Sequence, residues 1–166
     1  MKTAFIIIDV QNILVETGFE IEKFLEKIAY LQDQARKQQI EIIYIQHIET
    51  NEALTSEDWQ LSPLLKRQPD EKVFQKRYNS IFKETGLKEY LDQQGIQQLV
   101  LCGMQTEYCV DTSVKVAFEH GYKLVVPEGT VTTFDGDDIL AETINEFYEN
   151  IWDECFADVL DYKSIF

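Results

Sequence analysis

The chain has 166 residues, with 45% hydrophobic and 27% charged side chains, and a formal charge of −15 from 30 acids against 15 bases. That length suits one domain over residues 1–166, with a core large enough to fold alone. The acidic balance, with no basic stripe to offset it, excludes a nucleic-acid partner, and no run approaches the roughly 20 apolar residues that cross a bilayer.

Lys2 precedes a short apolar run, but Asp9 interrupts it and no small-residue cleavage site follows. The expectation is a protein without a signal peptide, in the cytoplasm. Cys102, Cys109 and Cys155 are an odd set without C-x-x-C spacing. That pattern argues against a structural zinc site and a disulfide framework, and Cys102 and Cys155 read as inert buried thiols.

In chain order, Thr3 to Ile8 is a continuous apolar run ending in Asp9, the pattern of a central strand buried on both faces. Ile21, Phe24, Leu25, Ile28 and Leu31 recur at helical spacing and predict an amphipathic helix over about residues 20–38. Ile40 to Gln46 is a second strand, followed by an irregular excursion from Asn51 to Gln68 that carries Trp59 and Pro63. Lys72 to Lys76 reads as a third strand, with short helices expected at Ser80 to Glu84 and Leu87 to Gln94. Gln97 to Cys102 is a fourth strand and Thr106 to His120 a helix that stops at Gly121. Tyr122 to Val126 is a fifth strand, and Glu128 to Asp137 a second irregular loop. Leu140, Ile144, Phe147 and Ile151 mark a last long helix, before a sixth, edge strand at Ala157 to Leu160.

Strands alternating with helices predict an α/β fold: a three-layer α/β/α, Rossmann-like arrangement with a six-stranded, mostly parallel sheet and helices on both faces. Ligands bind such sheets beyond the carboxyl ends of the strands. Asp9 ends the first strand, Lys76 ends the third and Cys109 follows the fourth, so all three fall at that end. The placement of Cys109 in the first turn of a helix suggests a thiol that ionises readily, because first-turn amides are unpaired and the macrodipole is positive there. Asp9 would take the thiol proton, and Lys76 beside both would favour the thiolate. Backbone amides of Cys109 and of the Gly103–Thr106 turn are placed to receive an oxyanion.

Four segments carry a resemblance to a known family: IIIDVQN (Ile6 to Asn12), IYIQH (Ile43 to His47), VFQKRYNSIFKETGL (Val73 to Leu87) and LVLCGMQTEYCVDTSVKVAFEHGY (Leu99 to Tyr122). In these the chain resembles the isochorismatase-like cysteine hydrolases, which include nicotinamidases and relatives of N-carbamoylsarcosine amidohydrolase. The resemblance implies that Asp9, Lys76 and Cys109 form a catalytic set. It also implies a cis peptide between Met104 and Gln105, and an oxyanion hole from the backbone N–H groups of Gln105 and Cys109. The implied reaction is attack on a small amide or carbamoyl carbonyl through a thioester, without a cofactor, in a homodimer or homotetramer.

Two departures narrow this expectation. Nicotinamidases carry an Asp-x-His pair and a further His after the second strand; here that region reads QHIETNEALTSEDW, with His47 alone. No metal is expected, and nicotinamide is a poor first candidate for the substrate. Isochorismatase proper lacks the nucleophilic cysteine, so Cys109 points to a C–N bond. Gln11, Trp59, Phe82 and Tyr108 are expected to line the substrate pocket, with Gln11 either touching substrate or bracing the site. His47 reads as a satisfied strand-end histidine. Two other classes remain open at this level: a catalytically idle binding or scaffolding module, and a thiol switch between Cys102 and Cys109, for which a strand-to-helix-turn disulfide is geometrically awkward.

Overall fold

The computed structural model describes residues 1–166, the side chain of Glu154 excepted. Its centre is a wholly parallel sheet. The strands are β1 (Thr3–Ile8), β2 (Glu41–His47), β3 (Lys72–Lys76), β4 (Gln98–Met104), β5 (Lys123–Pro127), β6 (Val131–Thr132) and β7 (Asp158–Leu160). They run in the order β3-β2-β1-β4-β5-β7, with β6 paired to the end of β4. The six expected strands are therefore present. The seventh, β6, lies inside the segment expected to be an irregular loop, and its two residues carry no periodicity that a sequence pattern can register.

Alternation along the strands sends side chains to two cores. Ala4, Ile6 and Ile8 of β1 join Leu99 and Leu101 of β4 on one face, while Phe5 and Ile7 join Val100, Cys102 and Met104 on the other. The first face is covered by α3 (Leu87–Gln94), α4 (Asp111–Glu119) and α5 (Ala141–Cys155), through Leu87, Leu91, Val114, Ala117 and Trp152. The second is covered by α2 (Ile21–Lys37), through Phe24, Ile28, Leu31 and Ala35. The result is a three-layer α/β/α arrangement. A short helix, α1 (Asn12–Val15), follows β1 directly. None of the described helices is long and apolar enough to cross a membrane.

The chain builds β1, β2 and β3 outward in one direction, then returns to place β4 on the opposite side of β1. The order reverses between β1 and β4, and such a switch leaves a crevice at the carboxyl ends of the two strands. Close approach of the strands there depends on Gly103. Its φ is +130°, and a Cβ at this position would stand 2.0 Å from Ile8 O.

Some local expectations are corrected. Ser80 to Glu84 is a set of turns rather than a helix: Phe82 N–H donates to Ser80 Oγ, Thr85 Oγ1 donates to Ile81 O, and Glu84 has a φ of +56°. Ser and Thr side chains here offer the backbone an alternative to helical bonds. The expected helix from Thr106 opens with a π-helical turn, Thr106–Val110, before α4. On α5 the buried side is set by Ala141 and Trp152, leaving Leu140 and Phe147 exposed. Trp152 is sealed in the core, where its indole N–H donates to Asp111 Oδ1 at 3.0 Å. Cys102 is buried as expected, but Cys155 is exposed.

Candidate active site

Asp9 leaves β1 in the left-handed region, φ +52°, which aspartate tolerates better than most residues. Its N–H donates to Ile45 O and its carbonyl accepts from Gln11 N–H, both at 3.0 Å, so the turn is tied to β2. The side chain is thereby held in the crevice between β1 and β4. Lys76 reaches the same place from the end of β3, where it pairs in register with His47 at the end of β2. Cys109 comes from the π-helical turn after β4, in which the N–H groups of Tyr108 and Val110 both return to Gln105 O at 3.2 Å.

The three side chains converge on the Lys76 ammonium. Nζ lies 2.8 Å from Asp9 Oδ2 and 3.1 Å from Cys109 Sγ. It also lies 3.0 Å from His47 Nδ1 and 3.0 Å from Tyr78 O. Asp9 and Lys76 are each 1% exposed, whereas Cys109 keeps partial access to solvent. Among the described residues Asp9 Oδ1 has no hydrogen-bond partner. A carboxylate oxygen so buried is an acceptor in need of a proton or a donor.

Electrostatics set the resting proton positions. Burial raises the Asp9 carboxyl above its ordinary value, against the opposing pull of Lys76. Burial, and then the charge of Asp9, push the Cys109 thiol up to about 12, with Lys76 opposing. This corrects the expectation of a readily ionised cysteine. The turn geometry and the lysine favour the anion, but loss of water and a neighbouring carboxylate outweigh them, so sulfur rests as the thiol. His47 is lowered to about 4 by burial and by Lys76, and is therefore neutral.

The peptide between Met104 and Gln105 is cis, and Gln105 Nε2 donates to Thr133 Oγ1 at 3.4 Å. The four residues expected to line a pocket divide. Gln11 is fully buried, and its Nε2 donates to His47 O at 2.9 Å and to Trp59 O at 2.6 Å, while its Oε1 accepts from His47 N–H at 2.8 Å. All its strong interactions are spent within the protein, so it braces the site and does not face a ligand. Trp59 is partly buried, with its ring 5.9 Å from that of His47. Tyr108 is 52% exposed beside Cys109. Phe82 belongs to the core: its ring stacks on Tyr122 and meets His120 edge-on, and Tyr122 precedes the amino end of β5, away from the crevice. Proximity to Lys76 in sequence was misleading because the chain enters the core after Asn79.

His47 was set aside in the sequence and proves to be part of the cluster. Asn79, whose Oδ1 lies 3.9 Å from Cys109 Sγ, went unremarked. Donor atoms of Asp9, His47 and Cys109 lie within 4.8 Å of one another, a spacing a metal ion could use. All three, however, already contact the Lys76 ammonium. A divalent cation at their centre would meet that charge at close range, so the set fits an ammonium rather than a metal.

The sequence matches the isochorismatase domain over residues 3–163. The chain belongs to the isochorismatase family. It is an enzyme of the hydrolase type that this family comprises. It is 31% identical over 142 residues to YddQ, an uncharacterised isochorismatase family protein of Bacillus subtilis, covering 80% of this chain and 79% of that one. It is 28% identical over 138 residues to a streptothricin hydrolase of Streptomyces noursei, covering 80% of this chain but only 50% of the relative. Among solved structures, an isochorismatase from Pseudomonas putida KT2440 superposes with a TM-score of 0.92 at 28% identity, covering 99% of this chain and 90% of that one.

Proposed function

We propose that this isochorismatase-family member is a cysteine amidohydrolase that cleaves the C–N bond of a small amide or carbamoyl compound. The observation that carries the reading is one ammonium, that of Lys76, touching both the Asp9 carboxylate and the Cys109 sulfur in a nearly dry crevice. The hydrolase name of the Streptomyces relative supports the reaction type.

In the proposed mechanism the Cys109 proton passes to Asp9 as sulfur adds to the substrate carbonyl carbon. The π bond becomes an oxyanion, received by the backbone N–H groups of Gln105 and Cys109. Collapse expels the nitrogen, which leaves as ammonia or an amine with the proton held by Asp9. The thioester remains. Asp9 then deprotonates a water molecule, whose oxygen adds to the thioester carbon, and the second collapse releases the acid and returns the thiolate to its proton. Lys76 keeps both anionic states, carboxylate and thiolate, within one positive field. Trp59 and Tyr108 would flank the substrate. Assembly as a homodimer or homotetramer, and a cytoplasmic location, belong to the same proposal.

The test is ammonia or amine release across a panel of small amides and ureas, with intact-mass detection of an acyl group on Cys109 after rapid quenching. The reading predicts turnover of at least one compound and a mass adduct absent from Cys109→Ala. An inert protein that forms no adduct with any panel member overturns it, and leaves the idle binding module in its place.

A further inference from the structure

An ammonium has three N–H donors and no acceptor. Around Lys76 Nζ stand four acceptors: Asp9 Oδ2 at 2.8 Å, His47 Nδ1 at 3.0 Å, Tyr78 O at 3.0 Å and Cys109 Sγ at 3.1 Å. One of the four goes without. The carboxylate is charged, and the carbonyl is fixed only two residues along the chain, so these two keep their hydrogens. The remaining N–H is contested by an imidazole nitrogen and a sulfur atom.

We propose that His47 is a positioning residue for Lys76, holding this third N–H away from sulfur until Cys109 gives up its proton, so that His47 and the thiolate compete for a single hydrogen. A neutral thiol is a weak acceptor and loses to the imidazole. A thiolate accepts a charge-assisted bond and wins. The imidazole is placed for this and little else. Its backbone N–H and C=O are both tied to the buried Gln11 side chain, and its ring leans on Trp59. Because Nδ1 accepts from an ammonium, the ring proton sits on Nε2. Neutrality follows, since an imidazolium would set N–H against N–H, and burial beside Lys76 lowers His47 to about 4.

The charged and titratable groups that face the sulfur are Asp9 from the end of β1, Lys76 from the end of β3, and His47 from the end of β2. The neutral amide of Asn79 lies farther out, at 3.9 Å. Asp9 Oδ1, the acceptor without a partner, is the natural seat for the departing thiol proton. His47 therefore acts as a brake on the resting nucleophile. The inference rests on Cys109 being the proposed nucleophile, but its test needs no substrate.

The experiment compares His47→Leu with His47→Asn. The two replacements have nearly the same shape and open the site equally, but only Asn keeps an acceptor near the position of Nδ1. The second-order rate of iodoacetamide alkylation at Cys109 is measured at pH 8 by mass spectrometry, and retention of fold by thermal melting. His47→Leu is expected to react about tenfold faster than His47→Asn, the size of effect one charge-assisted hydrogen bond supplies, with Asn near the unmodified protein. Equal rates for Leu and Asn, or a faster Asn variant, overturn the proposal, since a merely structural histidine would be missed alike in both. Should Leu not be accommodated, Met against Gln makes the same isosteric comparison. A protein that hydrolyses no amide yet shows the difference loses the amidohydrolase reading alone. An active enzyme without the difference loses only the role of His47.

Discussion

Asp9 Oδ2 and Lys76 Nζ form an ion pair of 2.8 Å in which the lysine side chain is 0% and the aspartate side chain 2% exposed. Neither charge has water to fall back on. Removing one member of such a pair strands the other, at about 3–5 kcal/mol. Asp9→Asn keeps the backbone, because asparagine also accepts the left-handed conformation of this position. It is expected to lower unfolding free energy by about that amount and to abolish turnover. Cys109→Ala, which leaves the pair intact, is expected to abolish turnover with far less loss of stability. Urea unfolding of the two variants separates the cases: equal stabilities would mean that the pair is not the buried unit described here.

The resting thiol leads to a second expectation. With Cys109 pushed up to about 12 by burial and by Asp9, only a small fraction is thiolate at neutral pH. Iodoacetamide is expected to alkylate Cys109 more slowly at pH 8 than a free thiol of pKa about 8.5, with the rate still rising at pH 10. Fast labelling at pH 7 that levels off below pH 8 would show a preformed thiolate instead. The proposed mechanism does not require one, because there the proton would pass to Asp9 as sulfur attacks.

The convergence of Asp9, Lys76 and Cys109 was legible because Asp9 follows β1, Lys76 ends β3 and Cys109 lies in the turn after β4. Asp9, Lys76 and Cys109 each adjoin an apolar run, and a parallel sheet sends all those ends to one side. The strand order was not legible, since nothing in the runs says that β4 returns to the far side of β1. His47 was passed over for a related reason. A lone histidine carries no spacing signal, and its place beside Lys76 comes from the pairing of β2 with β3. Gln11 shows the limit from the other side. Its bracing role depends on an antiparallel bridge to Leu61, which folds a distant, aperiodic segment back over β1. Leu140, Ile144, Phe147 and Ile151 made α5 legible as a helix, but not its buried side, where Ala141 and Trp152 are sealed in the core.

His47 gives a pH-dependence of stability with a defined sign. Its native value is about 4 against an ordinary 6.5, so between these the unfolded chain binds a proton that the native chain does not. Stability therefore rises with pH across that window and is lost as pH falls through it. Asp9, raised by burial, acts in the opposite sense above 3.8, because there its native form holds the proton longer. His47→Asn removes the first contribution and leaves the second. Its thermal midpoint is expected to gain less between pH 4 and 6.5 than that of the unmodified protein. Parallel curves for the two would mean that His47 titrates normally in the folded chain.

Gln11 is expected to control the order of the segment after β2. Its amide makes hydrogen bonds at 2.9 Å, 2.6 Å and 2.8 Å that join the end of β2 to the turn at Trp59. Gln11→Leu fills a similar volume but leaves the part-buried N–H and C=O of His47 without these partners, at about 1–3 kcal/mol each before relaxation, and leaves Trp59 O with only the bond from Gln46 Nε2. The loss falls on residues 51–68, so proteolytic nicking there is expected to accelerate while the sheet stays folded. Trypsin digestion followed by mass mapping tests this, with Lys66 and Arg67 as cleavage sites within the segment. Nicking elsewhere first, or not at all, would argue that the segment is held by other contacts.

Gly103 offers the sharpest steric case. An added Cβ would stand 2.0 Å from Ile8 O and 2.7 Å from Ile8 N, both backbone atoms of the neighbouring central strand. No side-chain rotamer relieves that overlap, and a φ of +130° strains any residue with a Cβ. Relief requires β4 to move off β1, which would carry Cys109 away from Asp9 and Lys76. Gly103→Ala is therefore expected to cost more than about 4 kcal/mol, among the largest effects of a single substitution, and to give little folded protein. Gly95→Ala is the control: its φ of +67° is also left-handed, but nothing lies within 4 Å of its added Cβ. The comparison of melting temperatures separates overlap from backbone preference, and a Gly103→Ala variant as stable as Gly95→Ala would show that β1 and β4 do not approach so closely at the crevice.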